Sequence, residues 1–298
     1  MKILITGSEG MLARDLMPVL KENHEMMPLS KKEMDITQKD AVIKNIKSSA
    51  PDIVINCAAY TKVDTAEEES VSAFQVNGIG VQNLAIACTE MQIPLCHIST
   101  DYVFDGRKGR PYTPFDNTNP LSVYGESKLA GERYIQWLMN KFYIVRTSGL
   151  YGRGDNNFVL TILRLAKEQQ SVKVVTDQIC SPTSTLSLSA GIKKLIESGN
   201  FGIYHITDDS GGGISWFNYA REIVSMAGIS ADIIPVTSEE FSRPAKRPAY
   251  SVLDTEITRL AVGYAWTTPG GTTTISLSAF SSTFLFLCVG DPFLLSHK

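Results

Sequence analysis

The sequence predicts an α/β protein with a doubly wound parallel β-sheet and a smaller C-terminal lobe. Three observations indicate this fold class. Short apolar runs alternate with longer helical patterns through the first half of the chain, a glycine-rich turn joins the first strand to the first helix, and the alternation changes near Leu150. Strands separated by helical crossovers pair in parallel through right-handed connections. The helices are therefore expected to cover both faces of the sheet.

Within the first half, apolar runs bounded by turn residues predict strands, and apolar residues spaced three or four apart predict helices. The predicted strands are 2–6, 25–29, 51–59, 94–100 and 142–148. The predicted helices are 11–23, 40–50, 72–91 and 127–139. Strand and helix alternate without a break, so residues 1–150 are predicted to form one domain around the sheet.

Residues 151–271 are predicted to complete the sheet and to form the smaller lobe. Strand candidates at 172–176 and 202–207 are separated by helical segments, and Gly and Pro become more frequent. The remaining stretch, 272–298, is rich in Ser, Thr and Phe and nearly free of charge until Asp291. We expect this tail to be disordered or partly β, because it lacks the periodicity of an amphipathic helix.

Composition excludes several classes of function. The chain has 298 residues, of which 43% are hydrophobic, and its net charge is −3. No block of basic residues predicts a nucleic-acid partner, and no apolar run is long enough to predict a membrane span. The five cysteines are scattered and form no C-x-x-C pair, so we expect reduced thiols rather than a disulfide or zinc framework. Together with a start that runs directly into a strand, these features favour a cytoplasmic protein.

The segment ITGSEGMLA has the spacing of a dinucleotide-binding loop. Gly7 allows a tight turn, Gly10 allows the backbone to approach a pyrophosphate, and Ala13 allows the helix to pack closely on the strand. The pyrophosphate would lie at the N-terminus of the helix that Met11 and Leu12 open. A merely glycine-rich turn is the alternative, but the position between strand and helix favours cofactor binding.

The end of the second strand bears on the choice of nicotinamide cofactor. An acidic residue there typically binds the ribose 2′-hydroxyl of NAD, whereas basic groups accept the 2′-phosphate of NADP. Ser30, Lys31 and Lys32 occupy this region, so the sequence favours NADPH, with NADH as the alternative. Asp35 either contacts the adenine edge or caps the helix that follows.

The ends of the third and fourth strands are predicted to face the crevice in which α/β proteins bind ligands. Ala58 and Ala59 would let a cofactor lie across the strand end, or would pack closely against a helix. Thr100 could hydrogen-bond a substrate oxygen or cap the next turn. His97, inside the fourth strand, is interpreted as a packed core residue rather than a base.

Tyr124 and Lys128 stand four residues apart on a predicted helix and therefore share one face. They are either a surface pair or a proton donor with its electrostatic partner. A nearby ammonium lowers the pKa of a phenol by roughly one to three units, which would let Tyr124 exchange a proton near neutral pH. The spacing alone leaves both interpretations open, and the glycine loop and Thr100 favour the proton donor.

Longer motifs carry a family resemblance. They are AAYTKVDTAE (58–67), STDYVFDG (99–106), NPLSVYGESKLAGE (119–132), GDNNFV (154–159), DQICSPT (177–183) and RPAYSVLDT (247–255). The chain resembles the extended short-chain dehydrogenase/reductase family, whose members have the Rossmann-type fold, and within it the reductases of dTDP-linked 4-keto-6-deoxy sugars. The likeness spans most of residues 1–263.

The resemblance implies a role for each site residue. Tyr124 would donate a proton to the sugar C4 oxygen, assisted by Thr100, and Lys128 would tune it while holding the nicotinamide ribose. The implied sugar contacts are Thr100, Asp101, Gly149 and Arg247. The implied cofactor contacts are Gly7, Gly10, Met11, Leu12, Ser30, Asp35, Ile36, Ala58, Ala59, Tyr60, Thr61, Ile98, Tyr124 and Lys128. Gly149 stands where the family carries a tryptophan that packs on the sugar.

The implied activity is NADPH-dependent reduction of the 4-keto group of dTDP-4-dehydro-6-deoxy-L-mannose to dTDP-L-rhamnose. Gly149 keeps open a reductase or epimerase of another nucleotide-sugar. A non-catalytic regulatory subunit is a further alternative, against which the intact Tyr124 and Lys128 argue. Some relatives bind magnesium at a dimer interface through Glu residues that have no clear match here, with Asp15 nearest, so we predict no metal and expect a monomer or a homodimer.

Overall fold

The computed structural model describes residues 1–154 and 157–263. Its strands are β1 (Lys2–Thr6), β2 (Glu25–Leu29), β3 (Ile53–Asn56), β4 (Leu95–Thr100), β5 (Phe142–Thr147), β6 (Leu150–Tyr151), β7 (Ser171–Val175), β8 (Ile179–Cys180), β9 (Thr183–Ser184), β10 (Gly202–His205), β11 (Ile214–Ser215) and β12 (Asp232–Val236). Its helices are α1 (Met11–Lys21), α2 (Lys39–Ser49), α3 (Ser70–Phe74), α4 (Val81–Glu90), α5 (Val123–Leu138), α6 (Phe158–Glu168), α7 (Thr185–Ser198), α8 (Trp216–Met226) and α9 (Glu256–Val262). The predicted tail, 272–298, lies outside the described residues.

The central sheet confirms the predicted fold class. Its order is β10-β5-β4-β3-β1-β2, and every neighbouring pair is parallel. The chain runs from β1 outward to β2 and then crosses to β3 on the other side of β1. The strand order therefore reverses between β1 and β3, and ligands of such sheets bind in the crevice at the carboxyl ends of these strands.

Apolar residues on both faces of the sheet explain why its strands read as continuous hydrophobic runs. Ile3 and Ile5 pack with α1 and α7 on one face, while Leu4 and Val54 pack with α2, α4 and α5 on the other. All four residues are fully buried. Burying each such side chain contributes about 1.5–3 kcal/mol, so the sheet is a rigid base for the strand ends that form the crevice.

The smaller lobe has its own apolar core. Helices α6 and α8 pack on the parallel pair β7–β12, and Val159, Ile162 and Ile223 lie in this core. Helix α7 and strand β10, in contrast, return to the central sheet, where β10 pairs with β5. The second half of the chain thus contributes to both units.

The helix predicted over 72–91 is interrupted by a π-helical segment, Gln75–Gly80, between α3 and α4. Gly131 of α5 packs against this segment so closely that a Cβ there would lie 2.3 Å from the Asn77 carbonyl oxygen. The Asn77 side chain bonds to groups outside its own helix. Wide turns of this kind are frequent at functional sites, and apolar periodicity does not reveal them.

Two expectations about composition can be checked in the described part of the chain. No helix there is both long and apolar enough to cross a bilayer. Its cysteines, Cys57, Cys88, Cys96 and Cys180, are free thiols. The absence of a disulfide framework among them agrees with the prediction.

Candidate active site

The glycine loop closes tightly on the end of β3. Gly7 has φ +63°, and a Cβ on it would lie 2.8 Å from the backbone N and Cα of Ala58, so only glycine fits. Gly10 donates its N–H to the Gly7 carbonyl at 3.0 Å and precedes α1 without a capping side chain. The N–H groups of the first helical turn therefore remain to bind an anion such as a pyrophosphate. Ala13 is fully buried, as its packing role requires.

The end of β2 carries an acid that the sequence reading missed. The Glu33 carboxylate accepts hydrogen bonds from the Ser30 N–H and hydroxyl, both at 2.7 Å. The backbone hydrogen bond from Ser30 holds the pKa of Glu33 below its usual value. A turn brings Glu33, which follows Lys31 and Lys32 in the sequence, back to the strand end. Lys31 and Lys32 are exposed beside it.

Asp35 serves the turn before α2. Its Oδ1 accepts hydrogen bonds from the N–H and the hydroxyl of Thr37, at 3.0 and 2.9 Å. Asp35 therefore closes this turn and does not cap α2, whose N-cap residue is Gln38 and which has no capping side chain. Ile36 is 3% exposed, and Asn83 Nδ2 donates to its carbonyl oxygen at 2.9 Å.

The loop after β3 is fixed to the helices beside it by Asn77. The Tyr60 N–H donates to Asn77 Oδ1 at 2.9 Å, and Asn77 Nδ2 donates to the Tyr60 carbonyl at 3.0 Å and to Ser127 Oγ at 3.0 Å. Asn77 is fully buried. The segment holding Ala59, Tyr60 and Thr61 is thus tied to α5, the helix that carries Tyr124 and Lys128. The only sequence signal for Asn77 is an amide on the buried face of an apolar helix.

Lys128 is not a surface residue. It is 2% exposed, and its Nζ donates to the Ile98 carbonyl at 2.6 Å and lies 3.4 Å from His97 Nε2. Burial lowers the pKa of Lys128 to about 8, against the opposing effects of Glu132 and Cys57. A buried ammonium at the end of β4 excludes the surface-pair interpretation.

Tyr124 lies in the first turn of α5 and is partly exposed. Burial raises its pKa to about 12, a hydrogen bond with Thr100 lowers it, and the charge of Asp101 raises it. The expected lowering of the pKa by Lys128 is therefore wrong in this protein, because desolvation of the phenolate dominates. Tyr124 stays protonated at neutral pH, which is the state that a proton donor requires.

Thr100 and Asp101 organise the turn that follows β4. The Thr100 hydroxyl donates to Asp101 Oδ1 at 3.0 Å and accepts from the Tyr102 N–H at 3.2 Å, so the capping role is present beside the contact with Tyr124. Asp101 is 3% exposed and accepts a hydrogen bond from Ser148 Oγ at 2.7 Å. Burial raises its pKa. These contacts assign Asp101 to holding the turn.

Arg247 forms an ion pair with Asp64. Its guanidinium donates to both carboxylate oxygens of Asp64, at 3.0 and 2.9 Å. Between it and the site stands Tyr102, whose ring meets the Tyr124 ring edge-on with centroids 5.9 Å apart. The sequence reading named neither Asp64 nor Tyr102 as a site residue.

The space beside Gly149 is filled. Gly149 has φ +54°, and a Cβ on it would lie 3.1 Å from Pro182 Cα and 3.3 Å from Trp216 Cη2. The indole that stands here thus comes from α8 rather than from position 149. A side chain at position 149 would be strained by the left-handed backbone conformation, and it would also press against Pro182 and Trp216.

Gly149→Ala should therefore lower the free energy of unfolding by about 1–2 kcal/mol for the left-handed conformation, plus a further loss from the contact with Pro182. Gly199→Ala is the matched control, since Gly199 has φ +71° with no heavy atom within 4 Å of its Cβ position. Urea denaturation of both variants separates the two effects. If both variants lose the same free energy of unfolding, the contact with Pro182 adds nothing, and the loop at Gly149 moves to accommodate the new methyl group.

Asp15 is held by two side chains of the same protein. It is 4% exposed, accepts a hydrogen bond from the Thr185 hydroxyl and pairs with Arg153 Nη2 at 3.2 Å. Across residues 1–154 and 157–263, no group of three or more His, Cys, Asp or Glu residues is arranged to hold a metal ion. The carboxylate instead ties α1 to the start of α7.

The chain as a whole is similar to known nucleotide-sugar reductases. The family model described as RmlD substrate binding domain matches residues 1–268. The dTDP-4-dehydrorhamnose reductase of Aggregatibacter actinomycetemcomitans is 42% identical over 267 residues, covering 85% of this chain and 90% of that protein.

Two solved structures of similar proteins extend the comparison. That of a dTDP-4-dehydrorhamnose reductase from Clostridium acetobutylicum is 43% identical with a TM-score of 0.89, and covers 96% of this chain and 99% of that chain. The enzyme of the same name from Bacillus anthracis, in complex with NADP, is 40% identical with a TM-score of 0.87 and the same coverage, 96% and 99%.

Proposed function

The chain belongs to the RmlD substrate binding domain family, and we propose that it reduces the 4-keto group of dTDP-4-dehydro-6-deoxy-L-mannose with NADPH to give dTDP-L-rhamnose. The observation that carries this proposal is a protonated Tyr124, hydrogen-bonded to Thr100, on the same helix as a buried Lys128 whose Nζ donates to the Ile98 carbonyl in β4. A binding subunit needs no proton donor in its crevice. Two relatives that share most of the chain's length, from Aggregatibacter actinomycetemcomitans and Clostridium acetobutylicum, are named dTDP-4-dehydrorhamnose reductase.

The residues at the crevice suit a nicotinamide dinucleotide. Gly7 and Gly10 leave room for a pyrophosphate at the N-terminus of α1, and the relative from Bacillus anthracis was crystallised with NADP. Lys128 would hold the nicotinamide ribose. When bound, NADPH supplies the hydride that the carbonyl carbon receives.

The protein's part in the reaction is to supply and control a proton. As the carbonyl carbon is reduced, negative charge develops on its oxygen, and Tyr124 donates its phenolic proton to that oxygen. The O–H bond of Tyr124 breaks and the O–H bond of the product alcohol forms. The hydrogen bond with Thr100, which lowers the pKa of Tyr124, stabilises the phenolate that remains.

The proposal is tested by following NADPH absorbance after mixing the protein with dTDP-4-dehydro-6-deoxy-L-mannose, and by identifying the product. The dTDP-4-keto-6-deoxy-D-glucose isomer and a UDP-linked 4-keto sugar serve as comparison substrates. Faster oxidation with either of these would favour the alternative nucleotide-sugar. If the protein binds NADPH tightly but none of the three keto sugars causes NADPH to be oxidised, the result would favour the non-catalytic regulatory subunit.

Lys31 and Lys32 are proposed to bind the 2′-phosphate, despite Glu33 beside them. Lys31→Met and Lys32→Met should each weaken NADPH binding by about 0.5–1 kcal/mol, or two- to fivefold, as expected for an exposed charge pair. NADH binding should stay constant, and the NADPH preference of the unaltered protein should fall as salt screens the attraction. Lys47→Met, an exposed lysine at the end of α2, is the control. Equal affinity for both cofactors at low salt would contradict the proposal.

The proposal also covers the sugar-binding lobe, the assembly and the location of the protein. Residues 151–271 supply the lobe that binds the sugar, because Gly149 and the indole of Trp216 meet where this lobe joins the sheet. Thr100, Tyr124 and Lys128 all belong to one chain, so a monomer or a homodimer would be active. A cytoplasmic location agrees with a cofactor and a nucleotide substrate that are made in the cytoplasm.

A further inference from the structure

A buried polar chain runs across the strand ends beneath the crevice. The Thr6 hydroxyl donates to Asn56 Oδ1 at 2.5 Å, Asn56 Nδ2 lies 2.9 Å from His97 Nδ1, and His97 Nε2 lies 3.4 Å from Lys128 Nζ. Thr6, Asn56 and His97 are fully buried, and Lys128 is 2% exposed. The chain therefore links β1, β3 and β4 to the lysine of the site without solvent between its members.

The partners of Asn56 fix the direction of each hydrogen bond. Its Oδ1 accepts from the Thr6 hydroxyl and also from the Ala58 N–H at 3.2 Å. The amide oxygen of Asn56 therefore faces Thr6 and Ala58, and its NH₂ group faces His97. An amide NH₂ only donates, so Nδ1 of His97 must present its lone pair. Burial and the charge of Lys128 hold the pKa of His97 well below its usual value, and the neutral ring carries its single proton on Nε2.

This tautomer turns a donor towards Lys128. The Nε2–H group and the ammonium are both donors, so His97 offers no acceptor to Nζ in its charged state. The acceptor that the described residues give Nζ is the Ile98 carbonyl, at 2.6 Å. The remaining ammonium N–H groups are left for a ligand in the crevice. A neutral amine, in contrast, would accept the Nε2–H of His97.

We propose that His97, locked by Asn56 in its Nε2–H form, is a positioning residue that presents a donor rather than an acceptor to Lys128. His97 keeps the Lys128 ammonium from turning into the sheet, and its Nε2–H group favours loss of a proton from that ammonium. Other groups face Lys128 as well: Cys57 beyond the end of β3, and Tyr124 and Glu132 on its own helix. Of these, Glu132 and Cys57 favour the charged state. The proposal rests on the proposed function for its consequence in catalysis, but the hydrogen-bond polarity stands without it.

The direct test is ¹⁵N NMR of the histidine rings in the substrate-free protein, with His97 assigned by the loss of its signals in His97→Gln. We expect the Nε2–H tautomer at neutral pH. His205 is an internal control with the opposite expectation, because its Nδ1 lies 3.0 Å from the Tyr112 carbonyl, which only accepts. A ring of His97 that carries its proton on Nδ1, or on both nitrogens, would overturn the proposal.

A second test changes the polarity. In Asn56→Asp a carboxylate of nearly the same shape cannot donate, so His97 should take its proton on Nδ1 and offer Nε2 to the ammonium. The ¹³Cε signal of Lys128 should then titrate about one pH unit or more above its value in the unaltered protein. His97→Leu removes the donor without adding charge and should shift the titration upward by less. An unchanged titration in both variants refutes the positioning role, and neither readout depends on which sugar is reduced.

Discussion

Tyr124→Phe should reduce turnover of the keto sugar by roughly 10²–10⁴, the usual contribution of a positioned acid, while NADPH still binds. Only the phenolic oxygen is removed, and the ring keeps its edge-on contact with Tyr102. The loss should fall on kcat, because the proton is transferred only as charge develops on the carbonyl oxygen. Steady-state kinetics together with a direct NADPH binding measurement separate the two effects.

Tyr134→Phe is the matched control for this substitution. Tyr134 lies on the same helix, and its ring packs on Trp137 on the outer side. This variant should keep normal turnover. If Tyr124→Phe turns over nearly as fast as the unaltered protein with its preferred sugar, the proton comes from another group, and the assignment of Tyr124 fails.

Much of this site follows from local sequence. The glycine loop, the order of strands and helices, and the shared face of Tyr124 and Lys128 depend on spacings of a few residues, which the backbone periodicity fixes. The need for glycine at position 7 is confirmed by its left-handed backbone and by the close approach of Ala58.

Other parts depend on contacts between distant segments, which spacing does not encode. His97 reads as an apolar-strand residue until Asn56 and Lys128, 41 and 31 residues away, are placed on either side of it. The pKa of Tyr124 could not be given the right direction from sequence, because desolvation depends on how deeply α5 packs. Glu33 was missed for a different reason: a turn, rather than the strand itself, brings its carboxylate to Ser30.

The ion pair of Glu132 with Arg146 illustrates how such contacts stabilise the site. Arg146 Nε and Nη2 donate to Glu132 at 3.0 and 2.6 Å, and Ser99 Oγ donates to the same carboxylate at 2.5 Å. Both charged residues are at most 2% exposed. Ser99 precedes Thr100 and pairs in register with Arg146, so the carboxylate joins α5 to β4 and β5 one residue before Thr100.

Glu132→Gln should lower the free energy of unfolding by about 3–5 kcal/mol, because it leaves the Arg146 guanidinium buried without a counter-charge. Arg146→Met should cost a similar amount by stranding the carboxylate. The double variant Glu132→Met/Arg146→Met should be more stable than either single variant, since paired removal replaces two desolvated charges by apolar side chains. The measurement is urea denaturation.

As a control, Glu168→Gln breaks the exposed pair with Arg164 and should change the free energy of unfolding by less than about 1 kcal/mol. Losses that simply add in the double variant would mean that the two side chains stabilise the fold independently, and that the charge pair is not what holds α5 on the sheet.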